Sequence, residues 1–191
     1  MRIFLIRHGE AIKTAVDSVL TPKGIKQAKN VPRFFDTLTC DLICTSALTR
    51  SKQTAHELLV KKKELSAVEM SELNEIYRVL VGGPVKAGTS LDRELLDKKR
   101  ADKVFDWLFT LKNKNVLLFT HGNLIRYLIA KTLLVDPLSL WKQMVVSPGS
   151  ISIIEIDKGK AQLKAVNLYS HQHEFLDDFL GGNISDEEYL S

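Results

Sequence analysis

The chain has 191 residues, of which 45% are hydrophobic and 26% charged, and it carries a net charge of +4 with a pI near 9.0. This is the balance of an ordinary soluble globular protein of one domain, and no apolar stretch is long enough to span a bilayer. Its basic residues are scattered and are not interleaved with aromatic ones, as single-stranded nucleic acid binding would need. We therefore expect neither a nucleic acid nor a membrane as a partner.

Cys40 and Cys44 are the only cysteines, and they lie four positions apart on a predicted strand. Residues at that spacing share a face of a strand but are too far apart to be bridged easily, so we expect two buried, reduced thiols. A metal site would need more ligands at a tighter spacing. With no leader pattern before Ile3, the expectation is a cytoplasmic protein without a metal or a cofactor.

The first predicted element is the apolar run that begins at Ile3 and ends at Arg7-His8-Gly9-Glu10. A run this short, bounded by a glycine, is typical of a buried strand. After a polar loop, Thr21 and Pro22 predict the start of a helix that runs towards Phe35, with Pro32 kinking it or ending it early.

A second strand is expected over Asp41–Thr45, followed by a helix that Ser46 or Thr49 could cap. Arg50 would lie in the first turns of that helix, next to the end of the strand. The helix dipole prefers anions at this end, so Arg50 is not there to satisfy the dipole.

The middle of the chain gives a weaker signal. Val68–Leu73 is a weak strand candidate, and the glycines and proline of residues 79–90 predict a long loop, of the kind that often carries function. A helix is expected over Leu91–Leu111. The residues available for its inner face are Leu95, Val104, Phe105 and Leu108.

Val116–Phe119 is a third apolar strand, and it leads through His121 and Gly122 into a helix over Leu124–Leu134, with a further helix expected over Leu138–Met144. Two alternating strands close the pattern, Ser150–Ile156 and Ala161–Leu168, joined by a tight turn. The prediction is an α/β fold: one domain over residues 1–191, built as a three-layer α/β/α sandwich with a mostly parallel, mixed sheet. The tail from about residue 171 is expected to be loosely ordered.

Three of these strands end in side chains that suit a phosphate group. If the strands are neighbours, Arg7, Arg50, His8 and His121 converge at one edge of the sheet, where open α/β sheets bind ligands. Arginine recognises phosphate through paired hydrogen bonds, and glycines next to the histidines let backbone amides approach an anion. A neutral imidazole can also attack phosphorus, so the site is predicted to transfer phosphate as well as to bind it. The residues at the strand ends do not include a proton donor for the leaving oxygen.

Five segments, taken together, resemble the histidine phosphatase superfamily, also called the phosphoglycerate mutase-like family. They stand in the family's order over residues 2 to about 155. The segments are LIRHGE, LTPKGIKQA, TSALTRSKQTA, LNEIY and FTHGNLIR.

The resemblance implies a phosphoglycerate mutase-like fold and a role for each matching residue. His8 would be the nucleophile that becomes phosphohistidine, and Glu75 would be the general acid. The residues that would hold the phosphoryl group are Arg7, Arg50 and His121, with the Gly122 amide nearby and Ser46 at the end of the second strand.

Two departures from the family favour a phosphatase over a mutase. Mutases usually carry a tryptophan and an asparagine soon after RHGE, whereas this chain has Ala11-Ile12-Lys13-Thr14, so that the asparagine contact is lost or replaced by Thr14. The region after Glu75 also lacks the run that grips the substrate carboxylate in mutases. A looser likeness, over Asn123–Tyr127, Trp141 and Pro148–Ile151, is to protein phosphatases related to the mitochondrial member.

The function expected from the sequence is therefore a metal-independent phosphomonoester hydrolase. The alternatives are a mutase-type phosphotransferase and a non-catalytic module that binds phosphate or phosphopeptides. The substrate would be a phosphorylated small molecule or a phosphoprotein, and composition does not separate the two.

Overall fold

A single mixed sheet organises the computed structural model, which describes residues 1–12, 17–77, 80, 90–140 and 143–169. The six strands are β1 (Arg2–Arg7), β2 (Leu42–Ser46), β3 (Val68–Met70), β4 (Asn115–Thr120), β5 (Ile151–Asp157) and β6 (Lys160–Leu168). The helices in the described ranges are α1 (Pro22–Asn30), α2 (Thr49–Lys61), α3 (Leu91–Leu108), α4 (Gly122–Leu133) and α5 (Pro137–Leu140).

The strands lie in the order β3-β2-β4-β1-β5-β6. The first four run parallel, while β5 pairs with both β1 and β6 in antiparallel fashion. The predicted mixed, mostly parallel sheet with a terminal hairpin is confirmed. The hairpin turns through Lys158 and Gly159, both at positive φ, as a two-residue turn that matches the strand twist requires.

Apolar side chains alternate between the two faces of the sheet, which is why strands such as β1 and β4 are apolar throughout. On β1, Ile3 and Leu5 join one buried cluster with α3 and α4, whereas Phe4 and Ile6 join a second cluster on the opposite face with α2 and the 3₁₀ turn after α1. Both faces are thus covered by helices, and the predicted three-layer sandwich is confirmed.

The start of α1 agrees with its prediction, since the Thr21 hydroxyl accepts a hydrogen bond from Gly24 N at 3.0 Å and Pro22 begins the helix. The helix ends at Asn30, and the chain continues as a 3₁₀ turn over Val31–Phe35, because Pro32 has no N–H to donate back along an α-helix.

The predicted cap of α2 is wrong. Its N-cap residue is Leu48, whose side chain cannot accept a hydrogen bond. The carboxylate of Asp17 does this instead from outside the helix, accepting from Thr49 N at 2.7 Å and from the Thr49 hydroxyl at 2.8 Å.

The predicted inner face of α3 is partly wrong. Leu95 is 52% exposed, whereas Val104 and Leu108 are buried and share their stripe with Ala101 and Asp97. The helix also ends at Leu108, three residues earlier than predicted. The expected loop over residues 79–90 lies almost entirely outside the described residues.

Other boundaries shift by small amounts. The strand expected to reach Leu73 stops at Met70 and continues as a 3₁₀ turn, and α5 ends at Leu140. Both cysteines are free thiols, Cys44 buried as predicted but Cys40 only partly so. The tail from residue 170 falls outside the described residues. Within the described ranges, no helix combines the length and the apolar character needed to cross a bilayer.

Candidate active site

The site lies where three parallel strands end side by side. β4 pairs with β1 on one side and with β2 on the other, so the carboxyl ends of all three meet at one edge of the sheet. Arg7 ends β1, Ser46 ends β2, and His121 follows β4 directly. The condition that the sequence left open, that these strands are neighbours, is therefore met.

His8 is buried, with 7% of its surface exposed. Its Nδ1 lies 2.6 Å from the carbonyl oxygen of Gly9, which can only accept, so Nδ1 carries the proton and Nε2 carries the lone pair. Arg50 Nε donates to that Nε2 at 3.1 Å. Burial, assisted by the charges of Arg50 and Arg7, lowers the pKa of His8 to about 3, so the imidazole is neutral at physiological pH.

His121 lies beside His8, with the two ring centroids 5.0 Å apart, and it is completely buried. Its Nε2 is 2.7 Å from the hydroxyl of Ser46, which in turn accepts from Leu48 N at 3.2 Å. Among the described residues, Nδ1 of His121 has no hydrogen-bond partner. Burial, followed by the neighbouring positive groups, lowers the pKa of His121 well below its ordinary value.

Arg7 lies against the N-terminus of α4. One of its terminal nitrogens, Nη1, donates to the carbonyl of Val146, while its Nε is buried without a partner in the part of the chain that the structure describes. A Cβ added to Gly122 would lie 3.2 Å from the Arg7 guanidinium, so a glycine at this position lets the arginine and the helix end come close together.

Glu75 reaches the same helix end from the segment between β3 and α3. Its Oε1 accepts hydrogen bonds from Ile76 N at 3.1 Å, Asn123 N at 3.1 Å and Leu124 N at 3.2 Å. Burial raises the pKa of Glu75, and these backbone donors together with Arg7 oppose that rise. The result is a carboxyl group held in place among cations but biased towards its protonated form.

The structure brings together all but one of the predicted site residues. Gathered at the sheet edge are Arg7, His8, Ser46, Arg50, Glu75, His121 and Gly122. Thr14 lies outside the described residues. Within the described part of the chain, no three His, Cys, Asp or Glu side chains are grouped so that they could hold a metal ion.

The loop after β1 is held by residues whose role the sequence reasoning missed. Gly9 N donates to the Thr54 hydroxyl at 3.1 Å, and Glu10 N donates to Gln27 Oε1 at 2.7 Å. A usable signal existed for Thr54, because it lies four residues after Arg50 and therefore on the same face of α2.

Two glycines let this loop pack directly on α1. A Cβ at Gly9 would lie 2.4 Å from the carbonyl oxygen of Gly24, and a Cβ at Gly24 would lie 1.9 Å from the carbonyl oxygen of Glu10. A side chain cannot be accommodated at such distances, so the backbone of the loop packs directly against the backbone of α1.

A further arginine near the site, Arg126, is the last residue of the segment FTHGNLIR, and no role was predicted for it from the sequence. On α4, its Nε donates to Met144 O at 3.0 Å and its Nη1 lies 3.4 Å from Asn123 Oδ1. Burial lowers the pKa of Arg126, and the carboxyl of Glu75 opposes that change. Its position four residues after Gly122, one helical turn from the site, was the available signal.

Comparison with known proteins agrees with this arrangement. The sequence model of the histidine phosphatase superfamily, branch 1, matches residues 3–85 and 97–169. The chain is 26% identical to an adenosylcobalamin/alpha-ribazole phosphatase of Salmonella typhi, over 87% of this chain and 96% of that protein. It is 27% identical to the uncharacterized phosphatase PhoE of Bacillus subtilis, over 91% of this chain and 98% of that one.

The fold has solved counterparts as well. The crystal structure of the alpha-ribazole phosphatase from Shigella flexneri superimposes with a TM-score of 0.72 at 26% identity, covering 88% of this chain and 96% of that one. The phosphatase type of enzyme expected from the sequence is confirmed by these relatives. The chain belongs to the histidine phosphatase superfamily, branch 1.

Proposed function

We propose that this phosphatase hydrolyses phosphomonoesters without a metal ion, through a covalent phosphohistidine at His8. The observation that carries the proposal is the state of His8 Nε2, an unprotonated imidazole nitrogen that faces the cation Arg50 at 3.1 Å. A neutral nucleophile beside fixed positive charge is what attack on an anionic phosphorus centre requires.

In the first step the lone pair of His8 Nε2 attacks phosphorus in line with the ester oxygen. The P–N bond forms as the P–O bond to the leaving group breaks, and Glu75 gives its proton to the departing oxygen. The carbonyl oxygen of Gly9, which accepts the hydrogen bond from Nδ1–H, stabilises the positive charge that the ring acquires.

In the second step a water molecule attacks the phosphorus of phospho-His8. Glu75, now a carboxylate, takes a proton from the water, the P–N bond breaks, and its electron pair returns to Nε2. Phosphate leaves, and both His8 and Glu75 recover their starting protonation states.

Two buried nitrogen atoms at this edge of the sheet have no hydrogen-bond partner within the described residues, and they could donate to the phosphoryl oxygens of a substrate. They are Arg7 Nε and His121 Nδ1, counted among the described residues. The single proton of the Ser46 hydroxyl can go to His121 Nε2, since that oxygen already accepts from Leu48 N, and this leaves the His121 proton on Nδ1, available to phosphate. The Gly122 amide, the guanidinium of Arg50 and the hydroxyl of Thr14 complete the proposed oxygen contacts.

For the substrate we propose a phosphorylated small molecule in a reducing compartment such as the cytoplasm. Relatives over nearly the full chain are named for hydrolysis of a small phosphate ester, alpha-ribazole phosphate. Two free thiols in the chain suit a reducing environment.

The test is hydrolysis of p-nitrophenyl phosphate in the presence of EDTA. Wild type is expected to turn over, His8→Ala is expected to be inactive, and His56→Ala, at an exposed histidine of α2, serves as the matched control. A substrate with a labelled phosphoryl group should label the wild type but not His8→Ala. A label that is lost in acid and kept in base would identify the intermediate as phosphohistidine. Activity that survives in His8→Ala, or that EDTA abolishes, would overturn the proposal.

A further inference from the structure

The segment that carries Glu75 has no regular secondary structure of its own. Residues 74–77 follow a 3₁₀ turn and precede α3, so their backbone groups need partners from elsewhere in the protein. Two of these backbone groups, the carbonyls of Asn74 and Glu75, are bound by one side chain on α3, that of Arg100.

Arg100 binds the backbone of Glu75 itself and of two residues before it. Its Nη1 donates to Glu72 O and to Asn74 O, both at 2.7 Å, and its Nη2 donates to Glu75 O at 3.1 Å. Three carbonyls from a four-residue stretch therefore converge on one planar guanidinium, a geometry that the single ammonium of lysine cannot reproduce.

Asp97 completes this arrangement one helical turn earlier on α3. Its Oδ1 pairs with Arg100 Nη2 at 2.8 Å, and its Oδ2 accepts from Tyr77 N at 3.1 Å. Asp97 is only 5% exposed, and a carboxylate so deeply buried is stable only when it is paired. The two side chains thus bind the chain before and after Glu75.

We propose that Arg100, together with Asp97, is a positioning residue that fixes the proton donor of the reaction, Glu75, against the N-terminus of α4. Arg100 contacts the backbone of the donor segment, and its role is to hold the carboxyl where the leaving oxygen departs. This inference rests on the role of Glu75 in the proposed function.

The remaining contacts of the segment explain why loss of Arg100 should displace Glu75 rather than unfold the protein. The Thr120 hydroxyl donates to Leu73 O at 2.6 Å, and Asn123 Nδ2 donates to Ile76 O at 3.2 Å. These bonds keep the segment on the sheet edge, while the carbonyls of residues 72, 74 and 75 lose their donor. Proton transfer is sensitive to displacements of about 1 Å, so catalysis should suffer before folding does.

The experiment compares Arg100→Met with Lys98→Met, a control whose side chain pairs with Asp102 on the solvent side of the same helix. Each is assayed on p-nitrophenyl phosphate, whose leaving group hardly needs a proton, and on an alkyl phosphate, whose leaving group does. For Arg100→Met we expect kcat to fall about 10- to 100-fold on the alkyl ester and less than about 3-fold on the aryl ester. Lys98→Met should match wild type on both.

The same substitution in a Glu75→Gln background isolates the positioning role. With the donor already removed, Arg100→Met should lower the alkyl rate by less than about 2-fold, since residues that act as a unit are not additive. Arg100→Lys, which keeps the charge but not the fork, should give an intermediate loss with the same preference for the alkyl ester.

Equal losses on the two esters, or a full further loss in the Glu75→Gln background, would overturn the inference while leaving the proposed function intact. If circular dichroism shows that Arg100→Met is unfolded, the inference is tested with Arg100→Lys and Asp97→Asn. The readout is again the ratio of the rates on the alkyl and the aryl ester. A wild type that is silent on both esters would instead overturn the proposed function, and this inference with it.

Discussion

Arg50 donates a hydrogen bond from Nε to Nε2 of His8 at 3.1 Å, so a fixed cation touches the nitrogen that is proposed to attack phosphorus. The contact orients the imidazole, and the charge of Arg50 contributes to the low pKa of His8. When a phosphoryl group enters, its oxygens offer the guanidinium stronger, charge-assisted acceptors than a neutral ring nitrogen. In the proposed mechanism, Arg50 would then turn to the phosphoryl oxygens and leave the lone pair of Nε2 free to attack phosphorus.

Removal of the Arg50 charge should weaken both binding and transfer of phosphate. For Arg50→Met we expect kcat/KM on p-nitrophenyl phosphate to fall about 100- to 1,000-fold, with weaker inhibition by inorganic phosphate. Arg50→Lys should recover part of this loss, because it restores charge but not the paired donors. Lys52→Met, at an exposed position two residues on, is the control. Unchanged inhibition by phosphate in Arg50→Met would contradict a contact between Arg50 and the phosphoryl group.

Glu75 should show its role through both leaving group and pH. Glu75→Gln is expected to cost about 100- to 10,000-fold on alkyl phosphates and far less on p-nitrophenyl phosphate. The donor is active when protonated, so wild-type kcat on alkyl esters should fall as pH rises through the pKa of Glu75. Because burial raises that pKa, the falling limb should lie above the range of an ordinary carboxyl group.

The pH profiles of kcat for wild type, Glu75→Gln and the exposed neighbour Glu72→Gln provide the measurement. The falling limb should disappear only in Glu75→Gln. Its persistence there, or equal losses on alkyl and aryl esters, would assign the proton transfer to another group.

Gly24→Ala should damage the site from a distance. The new Cβ would lie 1.9 Å from the carbonyl oxygen of Glu10, so the loop that follows His8 has to move away from α1. We expect the free energy of unfolding to fall by about 1–3 kcal/mol, as is usual for overpacking, and kcat to fall as well. Urea unfolding beside Lys26→Ala, at an exposed position of the same helix, measures the effect. Unchanged stability and activity would show that this backbone contact is dispensable.

The buried neutral state of His8 should make the protein sensitive to acid. In the unfolded chain His8 takes up a proton below pH 6.5, whereas in the folded protein it does so only near pH 3. Between these values the unfolded state binds more protons, so the free energy of unfolding falls as pH falls, by up to about 1.4 kcal/mol per pH unit for this group.

His8→Asn removes this titration, and its stability should therefore fall less steeply than that of wild type between pH 6.5 and pH 4. Urea unfolding at several pH values gives the two slopes, and His56→Asn, at an exposed position, should follow wild type. Parallel slopes for wild type and His8→Asn would contradict a buried, neutral His8 in the folded protein.

Much of the fold could be predicted from the sequence, because the buried strands are visible as short, uninterrupted apolar runs. A strand buried on both faces has to be apolar at every position, as in β1 and β4, and the polar residues that end such a run mark the edge of the sheet. The convergence of Arg7, His8 and His121 followed from that rule together with the parallel strand order.

What the sequence could not give were contacts that depend on the packing of distant segments. Asp17 caps a helix that begins 32 residues later, and Arg100 holds a backbone stretch that precedes its own helix. The error at Leu95 has the same origin, since Asp97 occupies the buried stripe of α3 only because Arg100 and Tyr77 N pair with it. Local periodicity carries no trace of such partners.

The central place of β4 has a consequence for how the protein is made. β1 and β2 are synthesised first, yet they are not paired with each other, and the strand that lies between them is β4, which begins at Asn115. A nascent chain that ends before that residue holds His8 and Arg50 with no strand between them to set their distance. The proposed phosphate transfer therefore requires that β4 and the start of α4 have left the ribosome, and we expect a chain that terminates earlier to be inactive on phosphate esters.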